Sequence, residues 1–166
     1  MIKIRKMKPS DLSAVAKLHV RSWQSAYRGI FPDTYLDSLD PRVLEERSRR
    51  GIAVNPDVIR LVALEKSVPV GLLVGLENRT PVLVPEARSE IWFLYVHPDH
   101  WGRGVGRALL REFLSLAEAP VVVWVLGKNL AGRKFYESLG GKLLDVTQDF
   151  DFEGKKYPEV AYLYRK

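Results

Sequence analysis

With 166 residues, 46% of them hydrophobic, the chain is long enough for about one domain with a substantial core. It contains no cysteine, which excludes disulfide bonds, thiolate metal sites and a thiol nucleophile. The formal net charge of +6 at pH 7 is compatible with binding of a nucleic acid, with binding of an anionic cofactor or with solubility alone. Lys and Arg are spread evenly along the chain, which disfavours nucleic-acid binding.

Targeting segments and metal motifs are not visible in the sequence. There is no signal peptide and no run of about 18 apolar residues, so we expect a soluble, cytoplasmic protein without membrane contact. The histidines, His19, His97 and His100, lack the H-E-x-x-H spacing. We therefore expect no metal site.

The N-terminal part of the chain predicts a strand followed by two helices. Ile2–Met7 alternates apolar and polar residues, as an edge strand does. Ser10 is the predicted N-cap of a first helix, which continues until a glycine and Pro32 interrupt it. A second helix is predicted over Pro41–Arg50, and Gly51 is expected to end it.

The middle of the chain predicts the core of a sheet. Two β-rich runs, Arg60–Glu65 and Val70–Leu76, are separated by a short polar turn and form a hairpin. After a mobile excursion at Asn78–Arg88, the strand Glu90–Val96 is expected to pair with them. A helix over Gly104–Glu118 follows. Its predicted buried stripe consists of Val105, Leu109, Phe113 and Leu116.

The C-terminal part completes an α/β domain. Val121–Leu126 is apolar on both faces, which is typical of a strand in the middle of a sheet. A helix connects Glu90–Val96 to this strand, so the two strands must be parallel. A further helix over Leu130–Leu139 and strands near Lys142–Asp149 and Val160–Tyr164 follow. The predicted fold is a mixed, mostly antiparallel sheet of about six to seven strands with a parallel central pair, flanked by about four helices.

A glycine-rich loop between strand and helix is the most informative feature of the chain. Gly102, Gly104 and Gly106 lack Cβ, so the backbone can turn tightly and bring its N–H groups against a ligand. The helix that follows offers unpaired N–H groups and the positive end of its dipole to a phosphate. Arg103 and Arg107 add positive charge on one side of the first turns. The loop therefore predicts a ligand that carries a diphosphate.

The spacing of the glycines does not fit two common nucleotide motifs. A dinucleotide fold needs G-x-G-x-x-G directly after a strand, and a P-loop needs Gly-Lys followed by Ser or Thr. The chain has G-x-G-x-G and no such lysine. On the glycines alone, a turn that merely tightens a strand-to-helix connection remains an alternative.

Two motifs together resemble those of the GNAT superfamily of N-acetyltransferases. The first is a strand end and a glycine pair, Leu94-Tyr95-Val96-His97-Pro98 and Gly104-Val105-Gly106. The second, further along the chain, consists of Asn129, Ala131, Phe135, Tyr136 and Gly140. Trp101 departs from the pattern, because it stands where the family usually has Gln or Arg.

The resemblance implies a single GNAT-like domain over residues 1–166. It implies transfer of the acetyl group of acetyl-CoA to a primary amine of a small molecule, a peptide or a protein, by direct attack in a ternary complex. It implies an oxyanion donor in the backbone near Leu94 or Val96 and a general acid at Tyr136. Glu90 is the best candidate for the general base. The residues that it assigns to acetyl-CoA are Leu94, Tyr95, Val96, Trp101, Gly102, Arg103, Gly104, Val105, Gly106, Arg107, Asn129 and Arg133.

The acceptor amine and several side-chain roles stay open in the sequence. In the family the first two helices line the acceptor side, which indicates the aromatic residues Trp23, Tyr27, Tyr35 and Trp92. A packed core is an alternative role for these side chains and, without the motif, for Tyr136. An exposed carboxylate at a strand start is the alternative for Glu90. A catalytically silent acyl-CoA-binding regulatory module is an alternative function. A basic nucleic-acid-binding domain is another, although no run of interleaved basic and aromatic residues supports it. A homodimer is compatible with the sequence.

Overall fold

A seven-stranded sheet forms the centre of the computed structural model, which describes residues 1–165. The strands are β1 (Ile2–Lys6), β2 (Ile59–Glu65), β3 (Val68–Glu77), β4 (Ser89–Val96), β5 (Val121–Leu126), β6 (Lys142–Phe152) and β7 (Lys155–Tyr164). They are arranged in the order β1-β2-β3-β4-β5-β7-β6. Only the β4–β5 pair is parallel, so the predicted mixed sheet with a parallel central pair is confirmed.

Helices cover both faces of this sheet. Those in the described part of the chain are α1 (Leu12–Ala26), α2 (Asp33–Asp37), α3 (Pro41–Val54), α4 (Val105–Leu116) and α5 (Leu130–Ser138). Alternation along β2 divides the core, since Leu61 and Ala63 pack on the side of α4 while Val62 and Leu64 pack on the side of α1. The sequence did not predict α2, which is a single turn after Pro32.

Two of the predicted helix ends are wrong. Ser10 does not cap α1. A 3-10 turn precedes the helix, and the Asp11 carboxylate accepts the Lys8 backbone N–H at 2.7 Å instead. Gly51 does not end α3, which continues to Val54 because the Arg60 guanidinium satisfies the carbonyls of Gly51 and Asn55.

The buried stripe of α4 also differs at its end. Leu116 is 48% exposed, whereas Val105, Leu109, Leu110 and Phe113 are buried. Leu116 is the last residue of the helix, and Ala117 enters the core after the chain has turned away.

The segment between β3 and β4 leaves the sheet but is fastened to it. The Asn78 side-chain amide donates to the carbonyls of Val84 and Ala87 at 2.8 and 3.2 Å, and both residues are buried. This places Arg79 next to Glu90 in β4, whose carboxylate accepts the Arg79 backbone N–H at 2.9 Å. No helix within residues 1–165 is both long enough and apolar enough to cross a membrane.

Candidate active site

A wedge opens between the two parallel strands at the centre of the sheet. β4 and β5 pair only from Ser89 to Ile91, although β5 stays paired with β7 along its whole length. The β3–β4 register shifts between Val74 and Gly75 and leaves Trp92 as an extra residue in β4. Such a bulge bends a strand locally. A cavity of about 1160 Å³ lies in the opening.

The splayed edge of β4 presents unpaired backbone groups to this cavity. His97 donates its backbone N–H to the Val70 carbonyl on β3 at 2.9 Å. Because successive residues of a strand alternate in direction, the N–H groups of Leu94 and Val96 face the opposite edge, toward the gap. The Val96 carbonyl there accepts the Ser22 hydroxyl at 3.0 Å and the Trp101 indole N–H at 2.7 Å. The end of β4 is therefore held in place while its N–H groups remain available.

The glycine loop forms a concave set of N–H groups beside the wedge. Gly102 and Gly104 have φ values of +72° and +79°, and a Cβ on either would meet no protein atom within 4 Å. Gly104 is the N-cap of α4 and supplies no side-chain cap, so the first N–H groups of that helix lack partners. Gly106 has another role, since a Cβ there would lie 3.0 Å from the Phe135 ring. It permits the close packing of α4 on α5.

The basic residues predicted for the cofactor divide into two groups. Arg107 lines the cavity. Arg103 instead donates to Glu65 at 2.7 Å, and that carboxylate also contacts His100 Nε2 at 3.1 Å. Arg133 donates to the Tyr162 hydroxyl at 3.1 Å. Neither Arg103 nor Arg133 is part of the cavity lining.

Asn129 and Tyr136 enter the wedge from α5. The Asn129 carboxamide oxygen accepts the Gly132 N–H at 3.0 Å and so caps the helix, and the residue also lines the cavity. Tyr136 lines the cavity as well and is 7% exposed. Burial raises its pKa, and the nearby Tyr164 and Tyr27 hydroxyls act in the same direction. The phenol is therefore protonated at every pH of interest.

Glu90 and Glu159 occupy different places around the wedge. Glu90 is 3% exposed and lies outside the cavity lining, with its carboxylate held by the Arg79 backbone N–H at 2.9 Å and by the Arg79 guanidinium at 2.8 Å. Glu159, opposite Leu126 on β7, lines the cavity. Burial raises its pKa, as does the nearby Glu90, although a hydrogen bond from Gln148 at 2.8 Å lowers it. Of these two carboxylates, Glu159 is thus the one exposed to the cavity.

Aromatic rings form the opposite end of the cavity, beneath α1. Trp23 contacts Tyr27 at 5.0 Å between ring centroids, and His19 stacks on Tyr95 at 4.6 Å. Burial lowers the pKa of His19 to about 4, so its imidazole is neutral. The rings that line this end are His19, Trp23, Tyr27, Phe31, Trp92, Phe93, Tyr95, Trp124 and Phe150. Tyr35 packs behind them against Phe152 at 4.4 Å and does not line the cavity.

Sequence reasoning missed Glu159, Arg79 and Arg47, all of which line the cavity. Glu159 carried a readable signal, because it is an acidic residue inside an otherwise apolar run at the end of the chain. The two arginines carried none, since each comes from a surface-like stretch that only the tertiary fold directs inward. No cluster of three or more His, Asp or Glu able to hold a metal ion occurs among residues 1–165.

The chain is similar in sequence to known acetyltransferases. Residues 19–141 match the model of the acetyltransferase (GNAT) family. The uncharacterised N-acetyltransferase YuaI of Bacillus subtilis (strain 168) is 28% identical over 97% of this chain and 91% of its own. Spermidine N(1)-acetyltransferase of Thermoplasma acidophilum is 26% identical over 94% of this chain and 98% of its own.

A solved structure shares the fold over the whole chain. The PaiA N-acetyltransferase of Thermoplasma acidophilum, in complex with coenzyme A, has a TM-score of 0.72 and 22% sequence identity. The match covers 99% of both chains. At this identity the likeness concerns the fold alone.

Proposed function

Since the chain belongs to the acetyltransferase (GNAT) family, we propose that it is an N-acetyltransferase in which a primary amine attacks acetyl-CoA directly within a ternary complex. Acetyl-CoA is the acyl donor, in keeping with the coenzyme A bound to the structural neighbour. The observation that carries the proposal is the wedge between β4 and β5, which opens beside a helix N-terminus with unpaired N–H groups.

Different groups around the wedge can bind different parts of acetyl-CoA. The loop from Gly102 to Arg107 offers N–H groups, positive φ and a guanidinium to the diphosphate. The free edge of β4 offers the N–H groups of Leu94 and Val96 to the pantetheine amides and the thioester oxygen. Trp101 replaces the usual Gln or Arg side chain, and its indole N–H is bound to Val96. In this proposal, diphosphate recognition therefore rests on the backbone and on Arg107.

The reaction moves one acetyl group and one proton. The amine nitrogen attacks the thioester carbonyl carbon with its lone pair, a C–N bond forms, and a tetrahedral oxyanion develops. A backbone N–H of Leu94 or Val96 stabilises this oxyanion as a preorganised donor. The C–S bond then breaks, and the sulfur leaves with the electron pair as a thiolate. The products are an amide and free CoA.

Two side chains handle the protons in this proposal. Glu159 accepts a proton from the amine, because it is the carboxylate that lines the cavity and its raised pKa makes it a better base. Tyr136 donates a proton to the thiolate, because its buried phenol is protonated and lines the same cavity. Exchange with water then takes the proton from Glu159 and restores the Tyr136 phenol, so one proton has moved from nitrogen to sulfur in all. Glu90, the base expected from the sequence, is engaged by Arg79 and holds the fold at the rim.

Release of CoA tests the proposed function directly. The chain contains no cysteine, so a thiol reagent detects CoA without background from the protein. We expect thiol release that depends on both acetyl-CoA and a primary amine, with stoichiometric acetylated amine found by mass spectrometry. Binding of CoA without transfer to any amine in a broad panel would instead indicate the silent acyl-CoA-binding module. A trapped acetyl-enzyme that reacts on to the amine would contradict direct attack.

A further inference from the structure

The cavity contains more positive than negative side chains. Its lining includes the carboxylate of Glu159 and the guanidinium groups of Arg47, Arg60, Arg79 and Arg107. His19 contributes no charge, because burial keeps its imidazole neutral with a pKa of about 4. A ligand with several ammonium groups would therefore meet more repulsion than attraction.

Most of these guanidinium groups already have partners within the protein. Arg79 is paired with Glu90 at 2.8 Å, and Arg60 donates to backbone carbonyls at the end of α3. Arg107 lies in the glycine loop, where the proposed function assigns it to the diphosphate. Arg47 is the remaining arginine of the lining, and no carboxylate among residues 1–165 forms an ion pair with it.

Arg47 differs from its neighbours on α3 in having no acidic partner within residues 1–165. Arg49 and Arg50 are paired with Glu45 and Glu46 at 2.6 and 3.0 Å, one helical turn earlier. Arg47 instead lies on the side of α3 that faces the cavity. Its charge acts on His19, whose ring is 5.9 Å from the ring of Trp23.

Trp23 adds an unsatisfied hydrogen-bond donor in the same region. Its indole Nε1–H is buried and, although the Tyr95 hydroxyl lies near it, makes no hydrogen bond of good geometry within residues 1–165. A buried donor without a well-placed acceptor lowers stability, so an acceptor atom on a ligand would be favoured there. A guanidinium and a nearby N–H together suit a carboxylate.

We propose that Arg47 and Trp23 form a carboxylate subsite and that the acceptor is a free amino acid with an apolar or aromatic side chain. The carboxylate meets Arg47 and the Trp23 indole, the side chain lies among the aromatic rings, and the amine faces Glu159. This inference rests on the proposed function, because it names the acceptor of the same reaction. It separates this chain from its 26% identical relative named for spermidine, since Glu159 is the single carboxylate lining the cavity within residues 1–165.

A panel of matched amines tests the inference. L-Phenylalanine, L-leucine, 2-phenylethylamine, L-phenylalaninamide and spermidine are offered with acetyl-CoA, and kcat/KM is measured from CoA release and product mass. We expect L-phenylalanine to exceed 2-phenylethylamine and L-phenylalaninamide by about 10²-fold or more, because both analogues leave the subsite unpaired. L-Leucine should also be acetylated, and spermidine should be the poorest acceptor.

Two variants and a control assign the effect to the subsite. Arg47→Gln should lower kcat/KM for L-phenylalanine toward the value for 2-phenylethylamine while leaving the latter unchanged. Trp23→Phe, which removes the N–H but keeps a ring, should also lower kcat/KM for L-phenylalanine. Arg50→Gln is the matched control, because Arg50 is an ion-paired arginine of the same helix, and it should have no effect.

The outcomes separate this inference from the proposed function. Equal rates on L-phenylalanine and 2-phenylethylamine, or a preference for spermidine, would overturn the carboxylate subsite and leave the acetyltransferase intact. Equal losses in Arg47→Gln and Arg50→Gln would also overturn it. Absence of CoA release with every amine would overturn the proposed function and this inference with it.

Discussion

Burial gives two side chains of the wedge opposite roles in proton transfer. Tyr136 is held as a neutral phenol, since burial raises its pKa. Glu159 has a raised pKa as well, also chiefly from burial, and for a carboxylate this means a stronger base. The same low-dielectric environment therefore keeps the Tyr136 phenol protonated and makes the Glu159 carboxylate a stronger base.

Replacement of Tyr136 by Phe tests the proposed acid. The change removes the hydroxyl but little shape, and that hydroxyl has no hydrogen-bond partner among the described residues. We expect an unchanged unfolding curve and unchanged CoA affinity, with a fall in kcat of about 10²-fold, which equals about 2.7 kcal/mol of transition-state stabilisation. An unaltered kcat would remove Tyr136 from the mechanism and leave water as the acid.

The pH profile of a Glu159 variant tests the proposed base. A base must be ionised to act, so kcat/KM should rise with pH through the pKa of Glu159, above the ordinary carboxyl range because burial raises that pKa. Glu159→Gln should lower the rate by about 10²- to 10⁴-fold and abolish this acidic limb, while the limb due to the acceptor amine persists. Retention of the acidic limb in the variant would show that another group provides it.

The sequence allowed some of these residues to be identified and not others. Gly102, Gly104 and Asn129 belong to local motifs, and local backbone geometry gives them the same surroundings that the motif predicts. Glu159 stands out in the sequence only as an acidic residue within an apolar run, and Arg47 does not stand out at all, because both gain their surroundings from contacts between distant parts of the chain. Sequence spacing contains no information on which loop or strand face meets the cavity.

At the level of elements, the bulge at Trp92 and the short parallel pairing produce the wedge. The strands themselves follow from apolar alternation and from the β-α-β connection, so their order around β4 and β5 was predictable. The divergence of β4 from β5 was not, because it depends on a register shift within the β3–β4 pair. Single-turn elements such as α2 were missed for a related reason, since their residues show no period long enough to detect.

Glu90 fastens the segment after β3 to the start of β4, and its replacement tests that structural role. In Glu90→Gln the amide cannot reproduce the charged contacts to the Arg79 guanidinium and backbone N–H. We expect a loss of about 1–3 kcal/mol in the free energy of unfolding, with kcat of the folded enzyme within a few-fold of wild type. The acidic limb of the pH profile should move to lower pH, because Glu90 helps to raise the pKa of Glu159.

Unfolding curves and rates for that variant distinguish the two possible roles of Glu90. A loss of kcat comparable to that of Glu159→Gln, without loss of stability, would restore Glu90 as the general base. Arg79→Gln is a companion change at the other end of the ion pair, and the structural role predicts a loss of stability at least as large, because the buried Glu90 carboxylate loses its guanidinium partner.

For the whole molecule, a wedge at the centre of the sheet makes ligand binding and stability interdependent. The ligand would contact β4, the start of α4 and the cap of α5 together, so binding should raise the free energy of unfolding of the entire domain. The net charge of +6 favours an anionic ligand without selecting one. Selection instead lies in the geometry of the glycine loop and of the β4 edge.

Thermal unfolding with coenzyme A, for the wild type and two glycine variants, tests most directly that this wedge is the acyl-CoA site. At 100 times its dissociation constant, CoA should stabilise the wild type by about 2.7 kcal/mol, and NAD or ATP at equal concentration by much less. Gly104 and Gly154 both have positive φ and open space around the Cβ position, but Gly154 lies in the β6–β7 turn. Gly104→Val and Gly154→Val should therefore lose similar intrinsic stability, and only Gly104→Val should lose the CoA effect. Equal CoA stabilisation of both variants, or a larger shift with NAD than with CoA, would contradict the account.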